Sequence, residues 1–172
     1  MSLEKINVNR SDAELLGILF SYVPKIAEAK QLDSLLVLIA DLGRELVLAE
    51  RCSLWLVSSD KKELWTKVAH GCDEIRIPIT AGFVGYSYAN NEPLLIEDAY
   101  NDSRFDSSVD KNSGYRTKAV LTVPFKNSVG EVMGVFQAIN KVGGTQFSKD
   151  DLKFLQLTAV YSAKSLESAM LF

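Results

Sequence analysis

The stretch Gly134-Val-Phe-Gln-Ala-Ile-Asn-Lys141, followed after a short glycine loop by Phe147-Ser-Lys-Asp-Asp151, decides the fold of this chain. The first segment is largely apolar, which is typical of a buried strand. Ser148 and Asp151 have the spacing of a capping box and predict the start of a helix. Lys141 therefore ends a strand while Asp151 lies in the first turn of the next helix, and we expect a partly shielded, structural ion pair between them.

Composition limits the classes of protein that the chain can form. A chain of 172 residues with 47% hydrophobic content can bury one sizeable core. A formal charge of −3 without a clustered basic face argues against nucleic acid as a partner. No apolar run approaches the roughly 18 residues of a membrane span, and no secretion signal pattern opens the chain. The sequence thus predicts a cytoplasmic protein with no membrane partner.

Neither cysteine indicates a metal site or a disulfide framework. Cys52 and Cys72 lack the spacing of a zinc site, and two are too few for a disulfide framework. Free cysteine is among the most buried residue types, so both are predicted to be small apolar side chains in the core.

The first half of the chain predicts two helices and then a series of strands. Ser11 and Glu14 form a capping box that opens the first helix, and Pro24 is predicted to kink or interrupt it. A second, amphipathic helix is predicted from Asp33 to about Leu48. Short apolar or alternating runs then predict strands over 52–57, 64–69, 75–79 and 94–96.

The second half predicts the remaining elements and the fold class. Residues 82–88 have a helical pattern, and residues 98–114 are polar, which indicates a mobile lid with a short helix around 105–111. Two valine-rich runs, 119–125 and 132–139, are separated by turn residues and predict a hairpin. The final helix is predicted over 148–171. Segregated helices without regular βαβ alternation predict an α+β fold around an antiparallel sheet.

The motifs of the chain resemble those of a known family. The Asn140-Lys141, Phe147 and Asp151 pattern is similar to the Asn-Lys…Phe…Asp-Glu signature of cyclic-nucleotide-responsive GAF domains, the sensor modules of phosphodiesterases, nucleotide cyclases and histidine kinases. Leu152 stands in place of the signature's final Glu. Further segments look like those of phosphodiesterase GAF modules, in the same order: Arg51–Leu56, Glu74–Pro78, Gly82–Gly85 and Gly114–Lys118.

The resemblance implies an architecture and a domain organisation. It implies a central six-stranded antiparallel sheet with the N- and C-terminal helices on one face, and a ligand pocket under short helices and a lid on the other. Residues 1–31 are then an N-terminal helix and linker, with Met1–Leu3 reading like a leader added for expression, and residues 32–172 are the GAF domain. The uncapped end at Phe172 predicts a signalling and dimerisation helix that leads to a C-terminal output domain.

The resemblance also implies ligand contacts on the pocket's helical side. It places Phe83 and Val84 against the ligand, at the start of a helix whose free backbone N–H groups suit an anion. Ser113 and Thr117 offer hydroxyls near the ligand's phosphate, and Asp110 faces the ligand from the lid. Turn and packing chemistry is an alternative explanation for the residues at these positions, and a carboxylate on a polar loop is usually solvated.

On the sheet side, the resemblance implies contacts with the ligand's base. The hydroxyl of Ser53 is suited to a base edge, and Gln137 falls where several relatives have an acid. Ala69 and His70 fall at the positions that read a purine. Alanine cannot stack, and a neutral imidazole cannot accept two guanine N–H bonds, which argues against tight binding of cyclic GMP. His70 is the chain's single histidine, which favours a strand-end residue over a metal ligand.

Two functional hypotheses remain open at this point. The first is a non-catalytic sensory domain that binds a small molecule, a cyclic nucleotide or another nucleotide, and signals through flanking helices to an output domain. The second is a ligand-free module that forms a homodimer through its terminal helices. An enzyme is the least favoured, because the motifs assemble no nucleophile–base pair and lack the cysteine set of methionine sulfoxide reductases. Helix pairing is predicted to use Leu15, Leu16, Leu19, Leu155 and Leu166.

Overall fold

Five α-helices and six β-strands make up the part of the chain that the computed structural model describes, residues 9–67, 74–144 and 146–171. A single 3-10 turn, Ala99–Asn101, adds to these elements. The helices are α1 (Asp12–Glu28), α2 (Leu32–Val47), α3 (Gly82–Asn90), α4 (Ser108–Ser113) and α5 (Lys149–Met170). The strands are β1 (Ala49–Val57), β2 (Glu63–Lys67), β3 (Glu74–Pro78), β4 (Leu94–Ile96), β5 (Val120–Lys126) and β6 (Val132–Lys141).

The strands form one antiparallel sheet in the order β3-β2-β1-β6-β5-β4. Its longest pairing joins β1 to β6, from Ala49 opposite Lys141 to Leu56 opposite Gly134. Helices α2 and α5 cover one face, with α1 packed against α2, and α3 with the segment 98–114 lies over the other face. The predicted α+β class, with a six-stranded antiparallel sheet between terminal helices and short helices, is confirmed.

Strand alternation divides the side chains of β1 and β6 between the two faces. Leu54, Leu56 and Phe136 point to the helices and are fully buried there, while Ser53 and Gln137 point to the opposite side. The helix-covered face holds one continuous core. On the other face the buried apolar residues form two separate clusters.

Helix α1 begins as predicted but does not stop at its proline. The Ser11 hydroxyl accepts from the Glu14 amide, and the Glu14 carboxylate accepts from the Ser11 amide, which completes the capping box. The helix runs through Pro24 to Glu28, so the predicted interruption is wrong, while a kink at Pro24 stays a prediction. Proline removes the hydrogen bond to the Phe20 carbonyl, and both residues lie on the exposed side of the helix, where water can replace that bond.

The expected pair of Lys141 and Asp151 is present, and it is buried rather than partly shielded. The Lys141 ammonium lies 3.0 and 3.1 Å from the two Asp151 oxygens, and each side chain is only 2% exposed. Lys141 also donates to the Val47 carbonyl, 2.8 Å away at the end of α2. Asp151 in turn accepts from the Ser148 amide and completes the α5 capping box. One lysine therefore joins the end of β6 to two helices.

Asn140 connects β6 to the segment that enters β5. Its backbone has φ 59°, a left-handed conformation that asparagine tolerates better than most residues. Its side-chain oxygen accepts from the amides of Lys118 and Ala119, at 2.7 and 3.1 Å. Its amide nitrogen donates to the Arg116 carbonyl at 2.9 Å. The lid's return to the sheet is thus fixed by one side chain.

Candidate ligand cavity

A cavity of about 750 Å³ is lined by the sheet, by α3, by the segment 98–114 and, at one end, by Val37, Ala40, Asp41 and Arg44 of α2. Such a volume falls in the range of small-molecule sites in proteins. Ser53, Trp55 and Gln137 form part of its floor, and Phe83 and Val84 approach from α3. The cavity is therefore mostly apolar with a few polar groups, as ligand sites usually are.

Two glycines shape the start of α3. Gly82 has φ +60°, and a Cβ on Gly85 would lie 2.5 Å from the carbonyl carbon of Thr80. Gly82 is required by its backbone conformation and Gly85 by the close approach of Thr80. Turn and packing chemistry therefore explains both glycines without a ligand. The N-cap residue Ala81 provides no side-chain cap. The amides at the start of α3 consequently have no acceptor within the helix.

The lid segment 98–114 is packed onto α3 by aromatic rings. The ring of Phe105 stacks on Phe83, with centroids 5.7 Å apart, and Tyr100 meets Phe105 edge-on at 5.0 Å. The guanidinium of Arg104 lies over the ring of Tyr86 at 4.6 Å. These contacts close one side of the cavity.

Asp110 fastens the lid to the segment that leads into β5. Its carboxylate accepts from the Thr117 amide at 2.7 Å, from the Thr117 hydroxyl at 2.8 Å and from the Tyr100 hydroxyl at 2.8 Å. Burial by itself raises the pKa of Asp110, but these hydrogen bonds and the charge of Arg51 outweigh it and leave the pKa below its ordinary value. Asp110 is thus a lid anchor, and the Thr117 hydroxyl proton is directed to it.

A second polar cluster lies at the edge of the cavity. The Tyr115 hydroxyl donates to the Glu50 carboxylate and accepts from the Asn140 amide at 2.9 Å. The Arg51 guanidinium stacks on the Tyr115 ring, 3.6 Å from its centroid. Desolvation, followed by the hydrogen bond to Glu50, raises the pKa of Tyr115 to about 12. The tyrosine therefore stays protonated at neutral pH and serves as a donor.

Most of the predicted ligand-binding residues line this one cavity. Ser113 is exposed and outside the lining, where its hydroxyl accepts from the Tyr115 amide at 3.3 Å. Ala69 and His70 lie outside the described residues, as does Cys72. For all of the predicted ligand-binding residues, contact with a ligand stays a prediction. The predicted residues that do line the cavity are Ser53, Phe83, Val84, Asp110, Thr117 and Gln137.

Sequence reasoning missed many of the lining residues, and three of them illustrate why. Trp55, Arg51 and Phe105 all border the cavity. Alternation in β1 could have placed Trp55 and Arg51 on the face of Ser53, since residues two apart share a face. No sequence signal reveals that Phe105 stacks on Phe83, because that contact depends on how the lid folds back.

Within residues 9–67, 74–144 and 146–171, no group of three or more His, Cys, Asp and Glu side chains is arranged to hold a metal ion. No helix in these ranges is both long and apolar enough to cross a bilayer.

The chain matches the family model of the GAF domain over residues 31–166, and it belongs to that family. Among relatives, it is 38% identical over 138 residues to dual 3',5'-cyclic-AMP and -GMP phosphodiesterase 11A of Takifugu rubripes, a match covering 72% of this chain and 15% of the relative. It is 32% identical over 155 residues to the probable 3',5'-cyclic phosphodiesterase pde-5 of Caenorhabditis elegans, covering 82% of this chain and 21% of the relative. The chain thus spans only a small part of these relatives' length.

Solved structures with the same fold have diverse functions. The GAF domain of a Coxiella burnetii phosphoenolpyruvate-protein phosphotransferase has a TM-score of 0.77 at 19% identity, over 94% of this chain and 98% of that chain. A free methionine-R-sulfoxide reductase from Neisseria meningitidis, solved with its substrate, has a TM-score of 0.72 at 19% identity, over 95% of each chain. At such identities the likeness shows the fold alone.

Proposed function

We propose that this GAF domain is a non-catalytic sensor that binds a small phosphorylated molecule, with a cyclic nucleotide as the first candidate, in the cavity under α3. The single observation that carries the proposal is the cavity itself, which combines an apolar wall with half-buried Ser53 and Gln137 and an uncapped helix start. Homology to the regulatory part of cyclic nucleotide phosphodiesterases supports the choice of ligand.

The electrostatics of the helix start favour an anion. The first-turn amides of α3 carry a partial positive charge from the helix dipole, and their protons are not used inside the helix. Helix N-termini of this kind bind phosphate without a cationic side chain. Phe83 in that turn stacks on Phe105 of the lid. A ligand bound there would therefore lie next to the contact that joins α3 to the lid.

A thermal-shift experiment tests the proposal. Cyclic AMP, cyclic GMP and cyclic dinucleotides are each added to the protein, and a bound ligand at a hundred times its Kd stabilises the fold by about 2.7 kcal/mol. Ser53→Leu places a larger side chain in the cavity and should abolish the shift with little change in the melting temperature of the free protein. Ser59→Leu, in the exposed β1–β2 turn, is the matched control and should keep the shift. No shift with any compound would contradict the proposal.

The identity of the base is tested by a double substitution. If Ala69 and His70 occupy the base-reading positions, Ala69→Phe with His70→Asp supplies a stacking ring and a paired acceptor for guanine. The affinity for cyclic GMP, measured by titration calorimetry, should then rise at least about tenfold, which is about 1.4 kcal/mol. An unchanged affinity would show that the base binds elsewhere.

A homodimer through the terminal helices is the second candidate, and exposed apolar side chains favour it. Phe20 on α1 is 73% exposed, and Val160 on α5 is 72% exposed. The predicted pairing set was partly wrong, because Leu15, Leu155 and Leu166 are buried in the protein's own core. Exposed apolar residues that remain available are Leu16, Val23, Leu157, Tyr161 and Leu171.

Dimerisation is tested by charge substitution and sedimentation. Phe20→Lys combined with Val160→Lys should shift the protein to the monomer at concentrations where the parent is dimeric. Val129→Lys changes an equally exposed apolar residue, 76% exposed, in the β5–β6 hairpin and should leave the association unchanged. A parent protein that is monomeric at every concentration would exclude this candidate.

A further inference from the structure

One cation of the cavity lining has no acid beside it. Arg44 lies 3.7 Å from Asp41, and Lys67 lies 3.6 Å from Asp33. Arg51 also borders the cavity, and within residues 9–67, 74–144 and 146–171 it forms neither an ion pair nor a hydrogen bond. A guanidinium has five N–H donors, so those of Arg51 are available to a ligand.

The other acids of the lining are hydrogen-bonded within the protein. Their donors are Tyr115 for Glu50, Ser108 for Asp106, and Thr117 with Tyr100 for Asp110. Asp106 lies beside Gly82 and is ionised at neutral pH, because the hydrogen bonds from Ser108 lower its pKa. Arg51 is close enough to Asp110 for its charge to contribute to the lowered pKa of that carboxyl. The cavity thus has paired charges around its lining and its unpaired cation on β1.

The side chain of Arg51 is exposed but held in place. Its guanidinium stacks on the ring of Tyr115, 3.6 Å from the centroid. The Tyr115 hydroxyl is fixed in turn, because it donates to Glu50 and accepts from Asn140. Stacking uses the face of the guanidinium and leaves the N–H groups at its edge unused. A side chain ordered in this way loses less entropy when a ligand binds.

The sheet register relates Arg51 to the start of α3. Arg51 is opposite Ile139 of β6, which is opposite Val120 of β5, and all three residues line the cavity. Phe83, in the first turn of α3, packs with Val120. Two strand spacings separate the backbones of Arg51 and Val120 by about 10 Å. A phosphate at the start of α3 and a group at Arg51 are therefore far enough apart to belong to the two ends of one nucleotide.

We infer that Arg51 donates a pair of hydrogen bonds to O6 and N7 of a guanine-type base, while the ligand's phosphate lies at the start of α3. Ser53 and Gln137, the neutral polar groups next to Arg51 on the floor, suit an uncharged base, and the free amides of α3 suit the phosphate. Two acceptors side by side match the guanidinium fork. Adenine has N7 but carries an amino donor in place of O6, so it cannot accept both bonds.

The inference rests on the proposed function, since it uses the same cavity and a cyclic nucleotide. It concerns the O6–N7 edge of the base. Ala69 and His70 are predicted to meet the other edge, where they lack the stacking ring and the paired acceptor that guanine needs. Arg51 therefore sets the ratio of the affinities for guanine and adenine, whereas the absolute affinity for cyclic GMP is limited by positions 69 and 70.

Four probes test the inference by titration calorimetry. Cyclic GMP and cyclic IMP both have O6 and N7, and cyclic IMP lacks the 2-amino group that other residues could bind. Cyclic AMP lacks O6, and 7-deaza cyclic GMP lacks N7. We expect the first two to bind at least about tenfold more tightly than the last two, in line with the discrimination that a bidentate arginine provides.

Two methionine variants establish which arginine is responsible. Arg51→Met keeps an unbranched side chain against Tyr115 and removes the donors. It should abolish the preference by weakening cyclic GMP and cyclic IMP, while the affinity for cyclic AMP stays nearly constant. Arg76→Met is the matched control, because Arg76 also lies over an aromatic ring, that of Trp65 at 5.9 Å, but is not part of the cavity lining. This variant should keep the preference, and thermal melts establish that both variants are folded.

The outcomes separate this inference from the proposed function. If cyclic nucleotides bind and cyclic GMP has no preference over cyclic AMP or 7-deaza cyclic GMP, the proposed function stands and the inference is overturned. A preference that survives Arg51→Met also overturns it. If Arg51→Met weakens all four probes equally, Arg51 holds the phosphate instead, and the inference is overturned while the function stands. If no cyclic nucleotide binds, the first candidate ligand of the proposed function fails, and the inference fails with it.

Discussion

On its helix-covered face the sheet packs against α2 and α5 in one continuous core that α1 completes from outside α2, whereas the other face has two smaller clusters and a cavity. The first face contributes fully buried leucines and Phe136, and the second has the half-buried polar side chains Ser53 and Gln137. The two faces of the sheet therefore have different roles. One face provides the stability that allows the other to leave space for a ligand.

The largest effect is expected at the buried ion pair on the helix-covered side. Lys141→Met removes the cation and leaves the Asp151 carboxylate buried without it. Breaking a buried pair in this way destabilises proteins by about 3–5 kcal/mol. Urea unfolding should show that loss in the free energy of unfolding. A loss below about 1 kcal/mol would mean that the pair is no more important than an exposed one.

The double variant provides the control for that experiment. Lys141→Met with Asp151→Asn leaves no uncompensated charge, and the asparagine oxygen can still accept from the Ser148 amide. We expect it to regain a large part of the lost stability, because the penalty comes mainly from the unpaired charge. Additive losses in the double variant would contradict this explanation.

A smaller difference is expected between matched leucines on the two faces. Leu56 and Leu64 are both 0% exposed, but Leu56 lies in the continuous core and Leu64 in a small cluster beside the cavity. Leu→Ala substitutions lose about 2–5 kcal/mol, and the loss grows with the void that remains. Leu56→Ala should therefore cost about 1 kcal/mol more than Leu64→Ala in urea unfolding. Equal losses, or the reverse order, would contradict the division between the faces.

The smallest effect concerns the lid on the cavity side. Because its hydrogen bonds hold the pKa of Asp110 below the ordinary 3.8, the ionised carboxylate stabilises the fold above that pH, and this contribution is lost as the pH falls through the folded-state pKa. Asp110→Asn should flatten the acid limb of a stability–pH profile, measured by urea unfolding from pH 6 to about pH 2. Glu97→Gln, an exposed neighbour of the lid, should leave that limb unchanged.

Local patterns allowed most of the fold to be predicted. The capping boxes at Ser11 and Ser148 and the valine-rich hairpin before α5 are short-range signals, and the structure contains all of them. The wrong prediction of a helix interruption at Pro24 also has a physical reason. Proline removes one helix hydrogen bond and crowds the carbonyl four residues earlier, and a helix tolerates both more easily where that carbonyl faces water. The sequence does not show that this side of α1 is exposed.

The candidate site was less accessible to sequence reasoning. Resemblance led to Phe83 and Gln137 because they are in motifs, but it did not lead to Trp55, whose unpaired N–H is apparent only once the strand is placed. Asp110 also has contacts that the resemblance did not imply: three hydrogen bonds from Thr117 and Tyr100 make it an anchor of the lid. Such contacts join residues seven and ten positions apart through a loop, and no periodic pattern encodes them.

Asn140 and Lys141 are consecutive, yet the first holds the loop that enters β5 and the second holds the helices. Each residue of a strand advances the chain by about 3.3 Å, so an inserted or deleted residue next to this pair would detach one of the two attachments. The Asn127–Gly130 turn has one exposed attachment, the hydrogen bonds from Ser128 to Glu167 of α5. Length variation among descendants of this sequence should therefore accumulate in that hairpin and spare the end of β6.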